Sequence, residues 1–536
     1  MLLFFVSEGK AQKRDPALAH RSWEAPSTKP ASGKSDLDQL PYYTQLKEAL
    51  KHPKQVYRLS LRGLQEWPAG ISKLKNLREL DLSGGQLTDL PAEIGQMTQL
   101  EVLDLSRNHF RALPAEVNQL TKLHTLKLTD NQLTSLPEEM GDMVALQTLH
   151  LVNNQLAALP ENIIHSKHLS DLQVRGNPIP GWLLSETELA LMPVVESMEA
   201  ALQSPLQVYR LQLNGLTEWP AGIGQLVNLQ ELNLNNNGLS QLPAGIGELK
   251  SLQQLSLLNN QLTGLPAEMG SLSNLRQLHL GLNQLKELPQ EIGQLKNLQQ
   301  LSLGGNQLTS LPASIGELGQ LKELNLIDNQ LKGLPGEIGK LGQLEKLFAG
   351  NNALESLPQE LGQLKNVQHI TLFNNQLDQF PTTIEGLVSL QKLDLQHNAL
   401  RGLPEALGDL PQLKELNARS NQLLQLPNSL GKLKQLEKLD LTANQLTNLP
   451  AELGQLKTLQ QLNLFGNKLQ QLPSELSNLE NLTQLDVWGN PLQDIPADLS
   501  KLKKLEIFNL QTDQLPTQAL NRLRTQLGGT LVKPNF

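Results

Sequence analysis

The sequence predicts an α/β solenoid, a stack of near-identical coils with a parallel β-sheet along one side. Three observations carry this. A 23-residue frame recurs through most of the chain, its centre alternates like a strand with one buried face, and a leucine-proline step follows. The frame reads most clearly at residues 298–320, LQQLSLGGNQLTSLPASIGELGQ, with leucines at the first, fourth, sixth and eleventh places. It starts again at Leu321, Leu344, Val367, Leu390, Leu413, Leu436, Leu459, Leu482 and Leu505, and backwards at Leu275, Leu252 and Leu229. A separate run starts at Leu77, Leu100, Leu123, Leu146 and Leu169, so the coils form two tandem arrays.

Each part of the frame has a physical reason. Leu301 and Leu303 point inward from a short strand and Ser302 points to solvent. The turn after the strand leaves backbone groups in a dry core that need partners. Asn306, with one acceptor and two donors, serves that turn and its neighbour. The same ninth place holds asparagine at 108, 131, 154 and 177, and in every frame from Asn237 to Asn490. Leu311-Pro312 then sends the chain along the opposite side, because proline lacks an amide donor and favours a turn or a helix start. Ile315, Gly316 and Leu318 complete a short helical or irregular segment. One coil cannot bury its leucines alone, so only the stack is stable.

These residues resemble the leucine-rich repeat family. The L-P-x-x-I-G-x-L version is similar to the 23-residue type of bacterial repeat proteins and intracellular Ras-group scaffolds, over nearly everything from residue 55 onward. The resemblance implies a right-handed horseshoe with the sheet on its concave face, and protein–protein interaction as a scaffold in intracellular signalling. Its alternative is an exported bacterial surface or effector protein binding host proteins or glycans.

Composition narrows the function. Aromatics are 3%, as expected where leucine fills the core, and the net charge of −8 is spread without a basic stripe, which argues against nucleic acid. The absence of cysteine rules out disulfides, a thiol nucleophile and zinc-cysteine sites, and favours a cytoplasmic location or a bacterial source. No nucleotide loop or nucleophile constellation stands out, so no enzyme, cofactor or metal is expected.

Taken in order, residues 1–40 read as a tail rich in Lys, Pro, Ser and Ala. The apolar start at 2–6 is too short to span a membrane and, lacking basic residues before it, makes a poor signal peptide; a truncated export signal is the alternative. Gly33-Lys34-Ser35 lacks the upstream glycine of a phosphate loop. The first array occupies 41–180, opening with an amphipathic helix over 42–52. Residues 181–206 form a helical junction and cap, kinked near Pro193. The module before each array matches its counterpart, Q-V-Y-R-L at 55–59 and 207–211 and W-P-A-G-I at 67–71 and 219–223, so each reads as a cap with Trp67 and Trp219 in the core. The second array runs over 207–515. Residues 516–536 are a closing helix, centred on 519–527, and a loose tail over 528–536.

Candidate sites follow from the frame. Places three, five and seven face outward and are mostly polar, so large apolar residues there stand out. Place seven holds Leu258, Ile327, Phe373, Phe465 and Trp488, place five holds Phe348, and place eight holds Leu282. Phe465 and Trp488 fall on successive strands and suit a binding hot spot. Phe348, His369, Phe373, Lys392, His397 and Arg419 form a mixed aromatic and cationic group suited to an acidic or aromatic peptide. His150 and His279 stand alone. Ala349 and Ala418 replace inward leucines. Asp81 and Asp104, with Glu79 near, read as solvated carboxylates rather than an acid-base pair. The expected ligand is a protein or peptide on the second array.

Overall fold

The computed structural model describes residues 36–164, 166, 168–177, 179, 183–496, 498–513, 515–527 and 531–533. The apolar start, the Gly33-Lys34-Ser35 step, most of the expected tail and Trp182 lie outside them. The strands fall into two parallel sheets, one ending at Asp171–Gln173 and the other beginning at Val194–Val195. The chain forms two compact units; the first reaches residue 211 and takes in 225–230, and the second holds 212–224 and 231 onward.

Within the second unit most coils repeat one construction. Gln300–Ser302 is a three-residue strand paired in register with Gln277–His279 before it and Glu323–Asn325 after it. Leu301 and Leu303 are buried and Ser302 is half-buried, the alternation the pattern demands. Fully burying a leucine contributes about 1.5–3 kcal/mol, so the stacked columns dominate stability.

The asparagine ladder closes the turns. Asn306 Nδ2 donates to Leu303 O at 2.8 Å and to Leu280 O of the preceding coil at 3.0 Å, while Oδ1 accepts from Leu285 N–H at 3.0 Å. Asn108 and Asn490 make the same three bonds at opposite ends of the chain. The residue just before each ladder asparagine takes a left-handed conformation: φ is 56° at Asn259, 54° at Leu282, 54° at His397 and 54° at Ala443. Asparagine, aspartate or glycine fills most of these places because they tolerate that backbone, whereas Leu282 and Ala443 carry a cost of about 1–2 kcal/mol. The sequence reading did not foresee this constraint.

The far side of most coils is a 3₁₀ segment. Pro312 (φ −68°) sits immediately before Ala313–Glu317, where its missing N–H is not needed. Gly316 follows a steric rule, since a Cβ there would lie 2.4 Å from Glu337 O of the next coil. Gly293 and Gly431 would make the same collision with Ser314 O and Glu452 O. A second row of asparagines joins coils on this side: Asn274 donates to Lys250 O, Asn297 to Ser273 O and Asn366 to Gly342 O.

The caps depart from expectation. The helix expected over 42–52 is one turn, Leu46–Ala49, because Tyr42–Tyr43 instead pairs as a parallel strand with Arg58 and Leu59. That first strand is tied by side chains, with Arg58 over the Tyr42 ring at 4.1 Å and bonded to Glu79. The segment at 183–207 holds helix Glu186–Ala190, strand Val194–Val195 and helix Met198–Gln203, so Pro193 stands at a break between elements rather than at a kink. Trp67 is partly buried and donates to Glu93 Oε1 at 2.6 Å; Trp219 is also half-buried. In the first unit Tyr209 is buried with Leu184 and Leu189, and its hydroxyl donates to Asn177 O at 2.6 Å. That burial pushes its pKa up to about 12. At the C-terminus helix Thr517–Leu527 is longer than expected, and Leu531–Lys533 pairs as a strand with Ile507–Asn509, so this part of the expected loose tail is ordered pairing.

Candidate functional site

Strand register in the second unit turns the outward places into three rows of neighbouring side chains. The row at place three runs Glu323, Lys346, His369, Lys392, Glu415, Lys438 on consecutive paired strands. It is largely self-neutralised. Lys346 Nζ reaches Glu323 at 3.1 Å, and Glu415 accepts from Lys392 and Lys438 at 3.2 Å each. Burial alone would raise the Glu415 carboxyl, but those two lysines outweigh it and hold it below the ordinary carboxylate range.

His369 sits between two lysines. Burial first, then Lys392 and Lys346, push its pKa down, so the ring is neutral at pH 7 and carries no hydrogen bond among the described residues. The cationic group read from sequence is therefore less positive than its composition suggests. Arg419 is exposed, and its guanidinium has no ion pair among the described residues. His397 is exposed on the left-handed turn rather than on the strand.

Several of the apolar residues at places seven and eight lie against the glycines of neighbouring coils. A Cβ at Gly350 would meet the Phe373 ring at 2.5 Å, one at Gly305 would meet Leu282, and one at Gly281 would approach Leu258 at 3.1 Å. Leu258 is 37% exposed, Leu282 57% and Phe465 42%, while Ile327, Phe348, Phe373 and Trp488 are half-buried. Asn463 and Asp486 are register partners at the ends of neighbouring strands, which places Phe465 and Trp488, two residues further on, on the adjoining turns of neighbouring coils. Register thus gathers Phe348, His369, Phe373 and Lys392 into one stretch and Phe465 with Trp488 into another. Leu258 stands apart towards the start of the array.

A row the sequence reading passed over is place five, where Asp394, Asn417, Asp440, Asn463, Asp486 and Asn509 alternate along six paired strands. The alternation was visible in the sequence, and its signal was the strict exchange of acid and amide. Each aspartate accepts the N–H two residues on: Asp394 from Gln396 at 3.1 Å, Asp440 from Thr442 at 2.9 Å, Asp486 from Trp488 at 3.0 Å. Burial, with Asp440 contributing, raises the Asp394 carboxyl.

In the first unit the expected solvated pair is corrected. Asp81 is 6% exposed, bonded to Arg62 at 2.6 Å and to Ser83 N–H at 3.0 Å. Arg62 belongs to the cap coil and closes over it. Burial would raise the Asp81 carboxyl, yet Ser83 and Arg62 more than offset this and keep it low. Asp104 faces Lys127 at 3.9 Å, and His150 Nε2 lies 2.8 Å from Asp171. No cluster of three or more His, Asp or Glu among the described residues could hold a metal ion. Nor is any helix among them long and apolar enough to cross a membrane.

His279 gives a testable pH signature. Its pKa is lowered by burial, partly opposed by Glu323. A base whose folded pKa is depressed binds its proton more readily when unfolded, so its stabilising contribution is present above the unfolded value of about 6.5 and is lost as pH falls through the folded value. Denaturant midpoints should therefore fall between pH 7 and pH 5 more steeply for the native protein than for His279→Gln. Parallel curves would contradict this.

Short parallel strands, a buried asparagine ladder and 3₁₀ rungs at a 23-residue period define a repeat solenoid, with rows of outward side chains along the strands of each sheet. The chain belongs to the leucine-rich repeat family. Family models described as leucine-rich repeat region match residues 267–375 and 359–466, and as leucine rich repeat match 75–133, 98–156, 227–285 and 458–479. A leucine-rich repeat protein of Leptospira interrogans is 34% identical over 92% of this chain and 99% of its own, with a TM-score of 0.45. The Arabidopsis receptor kinase HAESA, solved with the peptide hormone IDA and the co-receptor SERK1, is 29% identical over 86% and 82%, with a TM-score of 0.46. YopM from Yersinia enterocolitica is 27% identical over 86% and 93%, with a TM-score of 0.38. No curated protein sequence gives a significant match. Leucine-rich repeat folds commonly serve as protein–protein interaction scaffolds.

Proposed function

We propose that this protein is a non-enzymatic recognition module that binds a protein partner on the strand face of its second array. One observation carries the reading: large apolar side chains interrupt a face that is otherwise polar, and Phe465, the most exposed aromatic of the face, has Trp488 at the equivalent place of the next coil. A solvated strand face gains nothing from an exposed phenylalanine, whereas a partner covering it does. Leu258, Ile327, Phe348, His369, Phe373, Lys392, His397 and Arg419 line the rest of that face or its adjoining turn. A cytoplasmic role in signalling is the companion proposal. Export, with a host protein as partner, remains the alternative reading of the same surface.

The test is affinity capture with purified full-length protein from a lysate of the source cell, comparing the native chain with a Phe465→Ser, Trp488→Ser variant. Captured partners should be lost by at least about tenfold, the scale of a single hot spot worth 1.4 kcal/mol. Undiminished capture would remove the patch from consideration.

A further inference from the structure

Asp440 and Asp486 lie in one row on alternate strands, with Asn463 between them. Neither carboxylate has an ion pair among the described residues, unlike Glu323 and Glu415 in the row beside them. Their free oxygens accept the neighbouring amides, Asn463 Nδ2 to Asp440 at 3.4 Å and Asn509 Nδ2 to Asp486 at 2.9 Å. Asn463 Oδ1 is shielded from solvent and has no donor. Alongside stand Phe465 and Trp488 at place seven. At place three, Gln461 and Gln484 carry no charge, and Lys438 is engaged by Glu415. Arg419, on the coil before Asp440, is exposed, has no ion pair among the described residues and bounds the stretch on that side.

We infer that this stretch, on the same strand face as the proposed function and resting on that reading, takes a polyproline II segment of a partner protein with arginine or lysine at positions i and i+3. Charge complementarity selects the occupant. Two carboxylates without a counter-charge call for donors with positive charge, and the flanking aromatic faces stabilise a cation laid over them. Spacing selects the register. Strands lie about 4.8 Å apart, so alternate strands are about 10 Å apart. A polyproline II chain has three residues per turn and rises about 3.1 Å per residue, so its positions i and i+3 share one face about 9 Å apart, whereas a β-strand would point them to opposite faces.

The test is fluorescence anisotropy of labelled 12-residue peptides with the full chain at low ionic strength. The probes are four Arg-Gly-Ser triplets in succession, an isomer with its four arginines together, and a version with glutamine for arginine. The spaced peptide should bind at least about fivefold tighter than the clustered isomer, and the glutamine version more weakly still. Asp440→Asn and Asp486→Asn should each weaken the spaced peptide by about fivefold or more, while Asp104→Asn in the first array leaves it unchanged. Asparagine already occupies this place in alternate coils, so these variants keep the fold. Equal binding of the two isomers, equal binding of the glutamine peptide, or indifference to both substitutions would overturn the inference. If partner capture is lost with Phe465→Ser, Trp488→Ser but kept with Asp440→Asn, Asp486→Asn, the face binds a partner and the cationic chemistry fails. If capture survives both, the binding face itself is wrong.

Discussion

Replacing Asn306 by leucine should lower the stability of the second array by about 1–3 kcal/mol, the cost of leaving a buried polar group unpaired. The loss is asymmetric. Leu280 O keeps a bond from the preceding ladder asparagine, Asn283, and Leu303 O one from the following, Asn329, both at 3.0 Å. Leu285 N–H, whose acceptor is Asn306 Oδ1, is left with no partner in a dry interior. Leucine's own side chain adds bulk where the turn is already closed. Denaturant unfolding reads the loss, and hydrogen exchange at Leu285 should accelerate before exchange in distant coils, because a solenoid transmits damage mainly to its neighbours. An unchanged midpoint would remove the structural role from the ladder.

Replacing Gly316 by alanine should cost a comparable amount, about 1–3 kcal/mol from overpacking. The added methyl would stand 2.4 Å from Glu337 O and 2.8 Å from Glu337 Cβ, both on the adjoining coil, so two rungs must separate. Gly319 is the internal control. It lies three residues on, has nothing within 4 Å of its Cβ position and does not adopt a positive φ. Gly319→Ala should stabilise the protein by about 0.4–1 kcal/mol by restricting the unfolded chain. Similar midpoints for the two alanine variants would mean that the spacing of the 3₁₀ row does not depend on glycine.

The two cases also mark what could be read without coordinates. The place of Asn306 follows from its chemistry, because a sharp turn beside buried leucines needs the donors and acceptor an amide supplies. The place of Gly316 was legible as a recurring glycine but not as a collision, since the clashing oxygen belongs to a residue one coil away. Leu282 and His397 illustrate the same gap: their left-handed backbone is imposed by the turn and leaves no trace in their residue type. At the candidate site, the apolar residues were found because they break a polar pattern. The neutralisation of Lys392 by Glu415, and the cover of Arg62 over Asp81, were missed because they join different coils.

A period of 23 residues, with leucine, asparagine and proline at set places, determined by itself that the chain stacks into a leucine-rich solenoid and which side chains face outward. That information is local, and repetition copies it from coil to coil. The tertiary structure decided which outward charges cancel, which carboxylates stay without a counter-charge, and where the caps exchange helix for strand. Those outcomes depend on distances between residues one coil apart, which are created only when the stack forms.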